Sequence, residues 1–118
     1  MQYVLNRQIS VKEIERNDSA NTITWIIVKG GGASIDEIKW EVEYENMGFK
    51  LNIIKVSEKN FSDEKIVKKY FALFWLDEIE DGKIGEGDFL KLKVPYDGNF
   101  TIMAFWKNYP IFLKRVEF

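Results

Sequence analysis

Residues 28–44 read VKGGGASIDEIKWEVEY and place three consecutive glycines between two segments with β-strand composition. After the glycines, apolar residues at positions 38, 40, 42 and 44 alternate with Lys or Glu at 39, 41, 43 and 45. A period of two predicts a strand with one buried and one solvated face. A phosphate loop would need Lys-Ser or Lys-Thr and a helix after the glycines. We therefore expect these glycines to supply positive φ angles or a close backbone approach at a corner of the fold.

Strand patterns recur along the rest of the chain. Residues 22–28 are all β-branched or aromatic, which is typical of a strand covered on both faces, and residues 70–76 are uninterruptedly aromatic or apolar. Further strands are predicted near residues 9–11, 49–53, 90–94, 100–106 and 111–113. After Ile53 the apolar positions shift by one residue, from odd to even numbers, and this shift predicts a β-bulge. Only Asn60–Lys69 has helix signals, an Asn or Ser N-cap followed by acidic residues, and a loop fits the same segment equally well.

These patterns predict the fold class. Seven or eight short strands, separated by turn signals every 8–12 residues, predict a β-sandwich or a barrel. We expect one domain over residues 1–118, all-β, an antiparallel β-sandwich of immunoglobulin-like form with at most one short helix.

Composition excludes several classes of function. The chain has 118 residues, 17 basic and 19 acidic, and neither cysteine nor histidine. Disulfides, thiolate metal sites and catalytic triads that need histidine are therefore excluded. The net charge of −2 gives no electrostatic basis for binding nucleic acid or an anionic membrane. The sequence contains no run of 18 apolar residues, so no membrane span is predicted. The first ten residues lack the features of a signal peptide.

An acidic segment is the candidate metal site. Its carboxylates are Asp77, Glu78, Glu80, Asp81, Glu86 and Asp88. Oxygen ligands of this kind suit calcium, but the spacing departs from the EF-hand loop because Ile79 would occupy a ligand position. A solvated acidic loop is the simpler interpretation. The glycines of residues 82–88 (GKIGEGD) precede a strand and not a helix, so they predict a loose turn.

The four tryptophans have two interpretations. Exposed rings in a row would stack on sugars, as in a carbohydrate-binding sandwich, whereas rings in phase with aliphatic neighbours belong to the core. Trp40 and Trp106 are in phase with aliphatic residues, and Trp25 and Trp75 lie in runs that are apolar on both faces. We expect all four in the core. Residues 106–112, with Tyr109 and Pro110, could instead expose aromatic surface to a partner.

Three Asn-x-Ser/Thr triplets begin at Asn17, Asn60 and Asn99. Eight asparagines and a Ser plus Thr frequency of 8 in 118 give about 0.5 such triplets by chance. All three fall at predicted turns or strand starts. They are candidate N-glycosylation sites of an extracytoplasmic protein, and a coincidence of residues common in turns explains them as well.

The order of segments resembles the globular domain of archaeal type IV pilin-like proteins. The resemblance begins with the strand ITWIIVK (23–29) and the Gly-Gly step that leads to Ile35-Asp36-Glu37-Ile38. It continues in the Gly-Asp turn of GKIGEGDFLKLKVP (82–95) and in the final hairpin of residues 99–118. The ectodomains of archaellum accessory proteins are similar in size. The family's N-terminal apolar helix and its processing site are absent from this sequence. The resemblance therefore implies either an excised soluble domain or a relative that does not polymerise through that helix.

The resemblance implies a non-enzymatic structural or adhesion domain. It would act in or beside a surface filament by associating with copies of itself or with a cell-envelope protein, without a cofactor. Its location would be extracytoplasmic for an excised ectodomain and cytoplasmic otherwise. The alternatives are a ligand-binding module for polysaccharide or calcium and, third, an enzyme that uses carboxylates, Tyr or Lys.

Overall fold

Strands dominate the secondary structure of the computed structural model, which describes residues 7–50, 52–56 and 71–118, with the backbone alone for 52–56. They are β1 (Ser10–Asn17), β2 (Thr22–Lys29), β3 (Gly31–Ser34), β4 (Ile38–Tyr44), β5 (Met47–Lys50), β6 (Asn52–Val56), β7 (Ala72–Leu76), β8 (Lys83–Gly85), β9 (Phe89–Lys93), β10 (Asn99–Trp106) and β11 (Tyr109–Glu117). A single 3₁₀ turn, Ile35–Glu37, precedes β4. Within these ranges no helix is long and apolar enough to cross a membrane. The predicted helix at Asn60–Lys69 lies outside the described residues.

Two sheets face each other across one core. The five-stranded sheet has the order β1-β2-β9-β7-β6, and the four-stranded sheet has the order β11-β10-β4-β5. β3 and β8 form a separate two-stranded pair. The predicted all-β sandwich is confirmed. Pairing is antiparallel except between β6 and β7, which run parallel from Asn52↔Ala72 to Val56↔Leu76. The immunoglobulin-like form remains a prediction.

The core lies between the inner faces of the two sheets. Its members come from alternate positions of β2, β4, β7, β9 and β10, as a period of two requires: Ile23, Trp25, Ile27, Trp40, Val42, Leu73, Trp75, Leu90, Leu92, Phe100, Ile102, Ala104 and Trp106. Phe112 on β11 joins the two layers, since its ring meets Trp25 and Trp40 edge-on at centroid distances of 6.1 and 6.2 Å. All four tryptophans are buried, which confirms the core interpretation.

The five-stranded sheet is also covered on part of its outer face. Ala72, Phe74 and Leu76 point away from the main core, yet they are buried and pack with Phe89 as a second apolar cluster. β7 is therefore covered on both faces, as its continuous apolar sequence predicts. For β2 that prediction is correct at its start, where Thr22 and Thr24 are buried, and wrong at Val28, which is 51% exposed.

The segment 49–53 was predicted as one strand with a bulge, and this prediction is wrong. β5 ends at Lys50 in the four-stranded sheet, and β6 begins at Asn52 in the five-stranded sheet. Pairing of β6 with β7 continues without a register shift through Ile53 and Ile54, where the phase of the sequence changes. Irregularities in pairing occur instead in β1, β3 and β10, between Ser10 and Val11, Glu13 and Glu15, Gly31 and Ser34, and Ala104 and Phe105.

One side of the sandwich is joined by hydrogen bonds between its two sheets. The backbone N–H of Ile9 donates to the carbonyl oxygen of Ile111 at 2.8 Å. The Gln8 side-chain amide donates to the Pro110 carbonyl oxygen at 2.7 Å, and the Arg16 guanidinium donates to the Glu117 carbonyl oxygen. These contacts use polar backbone groups at the edge of β11 that a free edge would leave unpaired.

The glycines at the end of β2 turn the chain where other backbone segments approach closely. Gly30 and Gly31 have φ angles of +90° and +96°. A Cβ atom on Gly30 would lie 1.6 Å from the Gln8 carbonyl oxygen, and one on Gly31 would lie 2.4 Å from that of Ile84. Positive φ and close approach are both present, which confirms the structural role predicted for these glycines.

Candidate functional site

The outward side of the four-stranded sheet carries apolar residues where a solvated face is expected. β10 reads NFTIMAFW, so the positions that alternate with its core residues are Thr101, Met103 and Phe105. Leu113 on β11 is the direct cross-strand neighbour of Met103 and is 63% exposed. We call this surface the β10 face. It comprises the outward residues Asn99, Thr101, Met103, Phe105, Leu113, Arg115, Glu117, Lys39, Glu41, Glu43, Gly48 and Lys50.

Strand register arranges the β10 face in rows that cross the sheet. One row runs Arg115–Thr101–Glu43, and the next runs Leu113–Met103–Glu41. Glu41 and Glu43 of β4 thus flank the central strand opposite Leu113 and Arg115 of β11. Each flank also carries the other sign of charge, Lys39 on β4 and Glu117 on β11. The face therefore has an apolar centre with charges of both signs on either side.

The surface of the β10 face is uneven because glycine occupies one position of its edge strand. Gly48 pairs with Glu43, and no atom comes within 4 Å of where its Cβ would be. A depression of about 240 Å³ opens there, lined on its outer side by Glu41, Lys50 and Met103. A second depression, of about 570 Å³, lies beside Thr101 and Arg115. A protruding side chain of a partner would fit either one.

Leu113 shows why the sequence pattern missed this face. Alternation of Ile111 with Leu113 predicts that both are core residues. The register shift between Ala104 and Phe105 changes the phase of β11, so Ile111 and Phe112 are both buried and Leu113 points outward. One sequence signal could have identified this face. Met103 and Phe105 are apolar although they occupy the positions between the core residues of β10.

The acidic segment separates into buried and exposed carboxylates. Asp77 and Asp88 are buried, with relative exposures of 3% and 1%, while Glu80, Asp81 and Glu86 are exposed and Glu78 is half-buried. In the described parts of the chain, no three acidic residues come together in a way that could hold a metal ion. The structure therefore does not assemble the calcium site that the sequence offered as an alternative.

Asp88 holds the segment together. One carboxylate oxygen accepts hydrogen bonds from the Trp75 indole N–H at 3.1 Å and from the Gly85 N–H at 3.0 Å, and the other accepts from the Glu78 N–H at 3.0 Å. Asp77 accepts from the Gly82 N–H at 2.8 Å. Burial raises the pKa of Asp88, and the three donors oppose that shift without cancelling it. These bonds tie the loop to the core.

The described asparagine triplets differ in their setting. Asn17 is exposed at the end of β1, and its side-chain amide oxygen accepts from the Ser19 hydroxyl at 2.8 Å and from the Ala20 backbone N–H at 3.2 Å, a local side-chain bond common in turns. Asn99 is exposed at the start of β10, two residues before Thr101 on the same face. Asn60 lies outside the described residues. Glycosylation of these asparagines remains a prediction.

Aromatic rings gather at the end of the sandwich that holds the chain's last residue. Phe100 is buried and meets Tyr44, Phe71 and Phe118 at centroid distances of 4.9, 5.6 and 6.4 Å. Tyr96 meets Tyr44 edge-on at 5.0 Å and is 43% exposed. The rings mostly cover one another. Tyr109, whose segment was expected to expose aromatic surface, is 51% exposed at the other end of β10, while Trp106 and Phe112 are buried.

No protein-family model matches this chain, and no curated protein is significantly similar to it in sequence. Functional inference therefore starts from the surface described above.

The β10 face should tolerate polar substitution in the isolated domain. We expect Leu113→Ser to change the free energy of unfolding by no more than about 0.5 kcal/mol, because its side chain is largely in water. Ile102→Val, on the inner side of the same sheet, should cost about 0.5–1.5 kcal/mol. Urea unfolding followed by tryptophan fluorescence measures both. A loss of 2 kcal/mol or more in Leu113→Ser would assign Leu113 to the core.

Proposed function

We propose that this chain is a non-enzymatic structural or adhesion domain of a cell-surface protein and that it acts by protein–protein association. The β10 face carries the proposal. Leu113 is exposed, and Met103 and Phe105 lie beside it between charged flanks. An apolar centre within a polar rim is typical of protein-binding surfaces. On the opposite sheet, the outer apolar cluster of Ala72, Phe74 and Leu76 is already buried.

The extracytoplasmic setting is supported by the exposure of Asn17 and Asn99, which leaves both side chains accessible to a glycan. It is also supported by the resemblance of the segment order to pilin-like and archaellum accessory domains. The domain would assemble with copies of itself or with an envelope protein in or beside a filament.

Localisation and intact mass in the native cell test this function. We expect a surface fraction that immunogold labelling places in or beside filaments, and a mass increased by hexose units on at least one described triplet. Asn17→Gln and Asn99→Gln are the matched variants, and each should remove its own increment. A protein found only in the cytosol, with the unmodified sequence mass, would overturn the proposal.

A polysaccharide-binding module is the second candidate, and Tyr96 is the observation that favours it. Its ring is 43% exposed beside the half-buried Tyr44, and an accessible aromatic face suits stacking on sugar rings. Calorimetric titration with soluble glycans tests this candidate. Binding that is lost in Tyr96→Ala and kept in Tyr109→Ala would favour it over the association function.

A further inference from the structure

We infer that the partner of the β10 face is a second copy of this chain, packed face to face about a two-fold axis. This inference rests on the proposed association function and specifies its partner. The argument uses the distribution of charge across the strands, the breadth of the face and the position of Asn99.

One row of the β10 face, the row of Arg115 and Glu43, is complementary to itself in charge under one particular symmetry. Consider a two-fold axis that runs parallel to β10 and passes above Met103. It stacks β10 on its own copy and places β11 of each chain over β4 of the other. Because Arg115, Thr101 and Glu43 share one row, Arg115 of each copy then faces Glu43 of the other. An isologous dimer repeats every contact, so two such pairs form.

The apolar residues fall at the centre of the same arrangement. Met103 and Phe105 lie on β10 and therefore meet their own counterparts across the axis, while Leu113 covers the aliphatic part of Glu41 in the opposite copy. Packing of two sheets at a moderate angle is a common arrangement of β-sandwiches. Apolar contacts at the centre and ion pairs at the rim are the usual anatomy of an interface.

Arg115 and Glu43 are available for such pairing. Both are exposed. The ion pairs recorded among the described residues are Arg16–Asp18 and Lys39–Glu41, so neither Arg115 nor Glu43 has a partner there. Two strand spacings, roughly 10 Å, separate them within one chain, whereas the two-fold arrangement places them directly opposite each other.

The breadth of the face sets the expected affinity. Three strands overlap in this arrangement, because β10 lies over β10 and β11 over β4 while β5 extends beyond the partner. Three strands at about 4.8 Å spacing and seven cross-strand rows at about 3.4 Å give roughly 340 Å² in projection. This area is below that of standard interfaces and is typical of a weak, transient contact. We expect a reversible dimer with a Kd of about 10–500 µM, which high local concentration in an assembly would populate.

The dimer has a consequence for Asn99. This residue pairs with Glu117 in the row next to Arg115 and Thr101, close to the proposed axis, so a glycan on Asn99 would hold the two copies apart. Asn17 lies on β1 of the other sheet and does not interfere. The proposal therefore requires that Asn99 is unmodified in the dimer.

Charge reversal tests the arrangement. Sedimentation equilibrium of the full chain, from about 10 µM to about 1 mM, should show a monomer–dimer equilibrium. Arg115→Glu alone and Glu43→Arg alone should each weaken self-association about tenfold or more, because each homodimer then has two like-charge pairs. An equimolar mixture of the two variants should associate within about threefold of wild type, since the mixed dimer has one reversed pair and one native pair, both attractive.

A matched apolar substitution locates the interface. Met103→Lys places a charge near the axis and should abolish the dimer up to about 1 mM, whereas Val28→Lys, at an exposed apolar position on the other sheet, should leave it unchanged. Circular dichroism confirms that each variant is folded.

Two results would overturn the dimer: a chain that stays monomeric at 1 mM, or a dimer that none of the β10-face variants weakens. Either result leaves the surface-domain function to its own test of localisation and mass. A native protein with glycans on both Asn17 and Asn99 would support that function and exclude this dimer, so the two failures can be told apart.

Discussion

Gly30→Ala is expected to destabilise the domain by about 4 kcal/mol or more, which is exceptional for the addition of one methyl group. The new Cβ would lie 1.6 Å from the Gln8 carbonyl oxygen, and this obstacle is backbone that cannot rotate away. Ile9, the next residue, donates to β11 at 2.8 Å, so moving Gln8 disturbs the contact between the two sheets. A non-glycine residue at φ +90° adds strain of its own.

Two other glycines distinguish the energetic cost of the steric contact at Cβ from the cost of backbone strain at positive φ. Gly82 has φ +73° and nothing within 4 Å of its Cβ position, so Gly82→Ala should cost only the backbone strain, about 1–2 kcal/mol. Gly31→Ala, 2.4 Å from the Ile84 carbonyl oxygen, should fall between Gly82 and Gly30. Urea midpoints at constant m-value give the order. If Gly30→Ala yields no soluble protein, Gly31→Ala carries the test. Equal losses at Gly31 and Gly82 would show that close approach has no energetic role.

The strands were predictable from the sequence because burial on one face imposes a period of two. Residues 38–44 alternate between apolar and charged side chains, residues 100–106 place a core residue at every second position, and both predictions match β4 and β10. The glycine corner was predictable for a local reason as well, since positive φ is a property of one residue and its neighbours. These features depend on short-range sterics and on a binary pattern of burial.

Sheet pairing was not predictable in the same way. Nothing within residues 49–56 says that the chain leaves one sheet at Lys50 and joins the other at Asn52, because the choice depends on the partners available elsewhere. The parallel pairing of β6 with β7 is non-local for the same reason. The register shift after Ala104, which exposes Leu113, is likewise a property of two strands together.

The candidate site was only partly visible in the sequence. Exposed asparagines could be listed from their triplets, but the β10 face depends on which strands lie side by side, which single-strand patterns do not contain. The acidic segment illustrates the opposite error. Six carboxylates suggest a ligand set by count alone, yet Asp77 and Asp88 are buried and accept backbone N–H donors, while Glu80, Asp81 and Glu86 stay in water.

Asp88→Ala is expected to cost about 3 kcal/mol of unfolding free energy. The substitution removes the acceptor of three donors, the Trp75 indole N–H and the backbone N–H groups of Glu78 and Gly85. A buried donor left without an acceptor costs about 1–3 kcal/mol, and the three losses are not fully additive because the loop can relax. Asp81→Ala is the matched control: it removes an exposed carboxylate that accepts one N–H, from Lys83 at 3.0 Å, and should cost less than about 1 kcal/mol.

The pH dependence of Asp88→Asn tests the electrostatic part of the same argument. Burial raises the pKa of Asp88 in the folded state, so the folded protein binds this proton more tightly than the unfolded chain. The resulting stabilisation is fully present below the ordinary Asp pKa of about 3.9 and is lost as the pH rises through the folded value. The stability advantage of wild type over Asp88→Asn should therefore shrink between pH 4 and pH 7 in urea unfolding series. An advantage that grows over this range would mean that the three donors outweigh burial and that the folded pKa is lowered.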